Sequence, residues 1–141
     1  MIVPLQISQN TLKSTYMKRK ALLIGNTSGL NGIKVDLENY AKFLKSLTGG
    51  AWNSAEIELT INPTRFGLLQ TIKKIKNDQN DYVVVFFSGH GAQVREVLLE
   101  INSDPEYIVE SELQNLASRQ LNIYDCCRGI IQVTTESFAM D

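Results

Sequence analysis

At 141 residues, 43% hydrophobic and 21% charged, the chain has the length and apolar content of one folded domain, which excludes disordered, collagen-like and low-complexity classes. Fourteen Lys plus Arg against 15 Asp plus Glu leave a formal charge of -1, without the basic excess of a dedicated nucleic-acid binder. The strongest apolar run, Tyr82 to Phe87, is far shorter than the roughly 20 residues that cross a bilayer, and the first residues lack the basic start and apolar stretch of a secretory signal, so a cytoplasmic location is expected.

Residues 1–18 read as an N-terminal tail ahead of a domain over 19–141. The apolar run from Ala21 to Ile24, stopped by Gly25-Asn26, predicts a strand buried on both faces. Beyond the Gly25 to Gly32 turn, Tyr40, Phe43, Leu44 and Leu47 fall at helical spacing and predict an amphipathic helix stopped by Gly49-Gly50. Glu56 to Ile61 alternates polar with apolar, the pattern of a strand near a sheet edge. Asn62-Pro63 then reads as helix cap and first helical residue, with Phe66, Leu68, Leu69, Ile72 and Ile75 as the apolar stripe. Tyr82 to Phe87, rich in β-branched and aromatic residues, predicts a central strand that ends at Ser88-Gly89-His90-Gly91. Glu96 to Ile101 is a candidate short extra strand or hairpin arm, Ser111 to Ala117 a short helix, and Leu121 to Tyr124 a last strand leading into Asp125-Cys126-Cys127-Arg128-Gly129. This alternation predicts an α/β fold with a mainly parallel sheet and helices on both faces.

In open parallel sheets the working crevice lies beyond the carboxyl ends of the strands. The one histidine, His90, and the only cysteines, Cys126 and Cys127, are both expected there. A thiol with a free pKa of about 8.5 is only partly ionised near neutrality, and a neighbouring imidazole can take its proton and later return it to a leaving amine. Adjacent glycines let backbone N–H groups approach a substrate carbonyl, which makes the amides of Gly91 and Cys127 candidates for an oxyanion hole. Side chains in extended backbone alternate, so Asp125 and Cys127 would share one side while Cys126 faces the core, a geometric basis for Cys127 over Cys126 as nucleophile that adds to the alignment given below. Neighbouring cysteines cannot staple distant segments, and with a single histidine they do not have the spacing of a zinc site, so neither a disulfide framework nor a structural metal is expected.

Asp125-Cys126-Cys127-Arg128-Gly129 resembles the Cys-Arg-Gly part of the caspase signature, with Asp-Cys in place of its Gln-Ala. The run from Val83 through Ser88-Gly89-His90-Gly91 is similar to the strand and His-Gly turn of the same clan, and Leu30-Asn-Gly-Ile-Lys-Val-Asp36 resembles the Leu-x-Gly-x-x-x-Asp stretch of metacaspases and paracaspases. The resemblance implies a caspase-like three-layer fold and a cysteine endopeptidase, nearest the metacaspase and paracaspase type. It also implies an S1 pocket lined by Asp36 and Asp125, and hence a protein or peptide substrate cleaved after Arg or Lys. The spacing from His90 to Cys127 is 37 residues (127 minus 90), shorter than the roughly 50 of caspases, so the intervening loop is expected to be trimmed. Only 14 residues follow Cys127 (141 minus 127), so the resemblance covers the large-subunit portion; a small-subunit-like fragment or partner chain is expected to complete the sheet. The other outcome is a weak or inactive caspase-like interaction module that uses the open sheet edge. No cofactor is expected; members of the metacaspase group often need calcium, but no site for it is identifiable. A phosphate-binding role for Gly25 to Gly32 is poorly supported, because that stretch matches neither Gly-rich phosphate motif and has no lysine.

Overall fold

The computed structural model describes residues 17–126 and the backbone of Arg128 and Gly129. Its elements run β1 (Arg19–Gly25), α1 (Ile33–Lys45), β2 (Ile57–Ile61), α2 (Arg65–Asn77), β3 (Tyr82–Ser88), β4 (Gly91–Gln93), β5 (Val97–Glu100), β6 (Tyr107–Val109), a 3-10 turn (Glu110–Leu113), β7 (Arg119–Asp125) and β8 (Arg128–Gly129). Four parallel strands form the main sheet in the order β2-β1-β3-β7. A second, mostly antiparallel sheet has the order β6-β5-β4-β8.

The two faces of the main sheet follow from the alternation of its central strands. Leu22, Ile24, Val83, Val85 and Phe87 point to one side, where they pack with Leu68, Ile72 and Ile75 of α2 and with Leu99 and Ile108 of the small sheet. Ala21, Leu23, Val84 and Phe86 point to the other and pack with Ile33, Leu37 and Leu44 of α1. With both faces covered, each of these side chains is withdrawn from water, worth about 1.5–3 kcal/mol for a large aliphatic or aromatic group. The chain is thus an α/β fold, a mainly parallel sheet between helices, as its sequence pattern predicted; β2 lies at an edge and β3 in the interior of the sheet.

Three local expectations need correction. The first helix ends at Lys45, where the Ser46 N–H caps onto Lys42 and Phe43 carbonyls, so Leu47 lies beyond it and is 91% exposed. The buried stripe is Ile33, Leu37 and Leu44; Tyr40 lies beside it, stacked on Phe86, and Phe43 is half exposed. The glycine pair serves the return of the chain over the helix end: a Cβ on Gly49 would stand 1.8 Å from the Phe43 carbonyl oxygen. That close approach lets the Trp52 N–H reach the Leu44 carbonyl and buries the indole.

The second helix begins at Arg65, capped by Thr64, whose hydroxyl accepts from the Gly67 N–H. Asn62 instead adopts a positive φ and exchanges hydrogen bonds with Thr27, so it ties two loops together rather than capping. Phe66 is 74% exposed, leaving Leu68, Ile72 and Ile75 as the buried face.

The third correction concerns Ser111 to Ala117, which contributes only the four-residue 3-10 turn and then irregular chain. Side chains of β7 take the backbone groups a helix would have paired internally. The Gln120 side-chain oxygen accepts from the Leu116 N–H, and the side-chain amides of Gln120 and Asn122 both donate to the Leu113 backbone carbonyl. The connection from β3 to β7 therefore contains a small sheet and no α-helix, which accounts for its shortness.

Candidate active site

The carboxyl ends of the parallel strands are level. Gly25 pairs with Ile61 and with Ser88, and Ser88 pairs with Asp125. Beyond this line the chain from β3 turns through Gly89 and His90 into β4, and the chain from β7 runs through Cys126 toward β8. The Gly89 N–H donates to the Asp125 carbonyl at 3.3 Å, linking the two turns. Beyond them β4 and β8 pair in parallel, Gly91 opposite Arg128 and Ala92 opposite Gly129.

His90 is exposed, at the rim beyond β3. Gly91 opens β4, and its lack of a side chain has a visible use: a Cβ there would lie 2.6 Å from the Cys126 Sγ. Cys126 is half-buried and, like Tyr124, packs against the cluster that contains Leu99, so its thiol faces inward, on the α2 side of the sheet. Asp125 is exposed. Ile123, two residues earlier in β7, packs with the α1-side cluster, so alternation puts Asp125 on the α1 side as well. Asp36 is exposed in the first turn of α1, where its own N–H closes onto the Gly32 carbonyl. Cys127 lies outside the described residues.

Several groups that hold this rim together carried no signal in the sequence beyond turn chemistry. Asn26, part of an Asn-Thr-Ser sequon, is fully buried; its side-chain amide donates to the Glu100 carbonyl and its side-chain oxygen accepts from the Ser28 N–H. Arg65 grips Glu112 through two hydrogen bonds of 2.7 and 2.9 Å and donates to the Tyr107 carbonyl. Burial alone would raise the Glu112 carboxyl, but bonds from Arg65 and the Val109 N–H, with the Arg65 charge, hold it below its ordinary value. On β7 the same-face residues Gln120, Asn122 and Tyr124 form a polar ladder, Gln120 donating to Asn122 and Asn122 to the Tyr124 hydroxyl. Burial raises the Tyr124 phenol, with smaller contributions from the charges of Glu110 and Cys126, against the lowering effect of the Asn122 bond. The polar alternation at 120, 122 and 124 was the one available sequence signal for that ladder.

The profile of the family described as Caspase domain matches residues 18–139, nearly the whole of the described fold. The chain belongs to the caspase domain family. Membership supports a cysteine peptidase-like function in general terms. A search of the curated proteins returned no match. Among the described residues, no group of three or more His, Cys, Asp or Glu side chains is placed to hold a metal ion. No helix among the described residues is long and apolar enough to cross a membrane.

Proposed function

We propose that this caspase domain is a cysteine endopeptidase in which Cys127 is the nucleophile and His90 the general base and acid, cleaving after Arg or Lys in the manner of metacaspases and paracaspases. The observation that carries the reading is the pairing register on either side of position 127. Ser88 faces Asp125 and Gly91 faces Arg128, offsets of 37 in both cases (125 minus 88, 128 minus 91), and 37 is also the separation of His90 and Cys127. The inward packing of the Cys126 thiol supports the choice of its neighbour, because adjacent residues of extended chain face opposite ways.

In this mechanism the His90 imidazole takes the Cys127 proton and the thiolate attacks the scissile carbonyl carbon. The N–H groups of Gly91 and Cys127 stabilise the oxyanion, a donor of this kind being worth about 100 to 1,000-fold in rate. The imidazolium then protonates the departing amine, and water attacks the thioester to release the acid product. Asp36 and Asp125, both exposed and both on the α1 side, supply the negative charge that a guanidinium or ammonium P1 side chain would meet.

The test compares Cys127→Ala and Cys126→Ala on peptides ending in Arg, Lys or Asp, with and without calcium. Loss of at least about 1,000-fold in Cys127→Ala alone, with Arg preferred over Asp, is expected. Full activity in Cys127→Ala, or faster hydrolysis after Asp, would overturn the reading.

One observation favours a second reading. β7 ends the strand order, so among the described residues its outer edge has no partner strand, and Leu121 is 47% exposed. A partner chain that adds strands there could complete an active enzyme, or the domain could use the edge as an inactive interaction module. Iodoacetamide titration separates them: selective labelling at Cys127 with a midpoint well below that of a free thiol belongs to the enzyme, and labelling no faster than a free thiol to the module.

A further inference from the structure

We infer that Asn26 is a positioning residue for His90, acting as a clamp across the turn that carries the imidazole; the inference rests on the peptidase reading above and goes beyond it. Three hydrogen bonds define the clamp. The Asn26 backbone N–H donates to the Ser88 carbonyl at 3.0 Å, on the near side of the turn. The Asn26 side-chain amide donates to the Glu100 carbonyl at 3.0 Å, and the Glu100 N–H donates in turn to the His90 carbonyl at 3.0 Å, on the far side. A single buried residue at the end of β1 therefore holds residues 88 and 90, one directly and one through the last residue of β5. The fit at the middle of the turn is close as well: a Cβ on Gly89 would stand 3.1 Å from the Asn26 Cβ and 3.0 Å from the Phe87 Cζ.

The chemistry requires an amide at this position. Asn26 has no exposed surface, so its side-chain polar atoms must find partners within the protein, and they do: the oxygen takes the Ser28 N–H while the nitrogen serves the Glu100 carbonyl. Aspartate would keep the acceptor but set an oxygen against the Glu100 carbonyl; alanine would leave that carbonyl and the Ser28 N–H without their partner. Neither change touches the imidazole, so the effect on catalysis must pass through the backbone of the turn. A shift of about 1 Å in a general base can cost on the order of 100-fold in rate.

Because His90 is the only histidine, its imidazole gives one resolvable signal in the carbon–proton spectrum of the full chain. Asn26→Asp and Asn26→Ala are compared with wild type and with Asn80→Ala, a control in which a buried asparagine bonded to the Ile75 carbonyl is lost ahead of the opposite end of β3. Both Asn26 variants should displace the His90 signal and accelerate hydrogen exchange at the Glu100 amide. On an Arg-ending peptide they should lower kcat about tenfold or more, with KM changed less than about twofold. Asn80→Ala should lower the melting temperature without moving the His90 signal. An unmoved His90 signal in a folded Asn26 variant would overturn the clamp. So would fast exchange of the Glu100 amide in the wild-type chain, a measurement that stands even if both Asn26 variants fail to fold. If the wild type hydrolyses no peptide and Cys127 labels no faster than a free thiol, while the His90 signal still responds to Asn26, the peptidase reading fails and the clamp survives.

Discussion

β3 and β7 lie side by side, matched residue for residue from Tyr82 opposite Arg119 to Ser88 opposite Asp125, yet they live in different solvents. Val83 to Ser88 are all buried, whereas β7 has no fully buried residue. The contrast is sharpest at one pair, Val84 at 3% exposure and its partner Leu121 at 47%. β3 has a strand on each edge and a helix on each face. Among the described residues β7 has a strand on one edge only, and one of its faces carries the amide ladder of Gln120 and Asn122, bonded to the irregular chain before it. Strand identity is therefore not enough to make a core position; what decides is whether both faces and both edges are covered. The two turns that form the candidate site thus arise from unequal supports, a fully covered β3 leading to His90 and a half-open β7 leading toward the cysteines.

The comparison can be tested by removing side chains on each side of it. Phe87→Ala should cost most, about 3–5 kcal/mol in denaturant unfolding, because the ring is fully buried between α2 and the small sheet. A loss under about 1 kcal/mol would mean that β3 is not the supported member of the pair. Gly91→Ala should cost about 1–3 kcal/mol through the clash with the Cys126 thiol. Most of that should return in the double variant with Cys126→Ala, as a double-mutant cycle would show. An additive double variant would contradict the contact that joins the two turns.

The connection between the strands offers a smaller effect with a pH signature. Glu112→Gln should cost about 1 kcal/mol near neutral pH, at the modest end for a bidentate pair because about a quarter of each side chain remains open to water. The Glu112 carboxyl lies below its ordinary 4.5 in the folded protein, so its contribution is complete above that value and fades as pH falls below it toward the folded-state value. Acid unfolding monitored from pH 6 to pH 3 should therefore be less steep in the variant than in wild type. Leu121→Ala should change stability least, by under about 0.5 kcal/mol. A larger loss, or one that appears only when a candidate partner chain is added, would show that another segment covers this side of β7 and would sharpen the contrast into a docking site.

Much of the fold was legible in the sequence because buried parallel strands write a continuous apolar signal, as in Ala21 to Ile24 and Tyr82 to Phe87. The rim was legible too, since a strand that ends in Ser-Gly-His-Gly or Asp-Cys-Cys-Arg-Gly announces where its turn must lie. Helix boundaries were not. Leu47 fits the helical period but falls outside α1 because the chain must double back over Gly49 to bury Trp52. Asn62 looks like a cap, but its side chain serves Thr27.

By itself the sequence determined the kind of layers, the interior strand, and the sheet edge at which the histidine and cysteine segments gather, because these depend on local periodicity and on the order of elements. Only the tertiary structure decided that Asn26 is a buried strut rather than a turn residue, that Gly91 makes room for the Cys126 thiol, and that side chains of β7 replace a helix before it. Each of those outcomes joins groups far apart in the chain through a hydrogen bond or a close contact, and a polar residue carries no mark of which distant carbonyl it will meet.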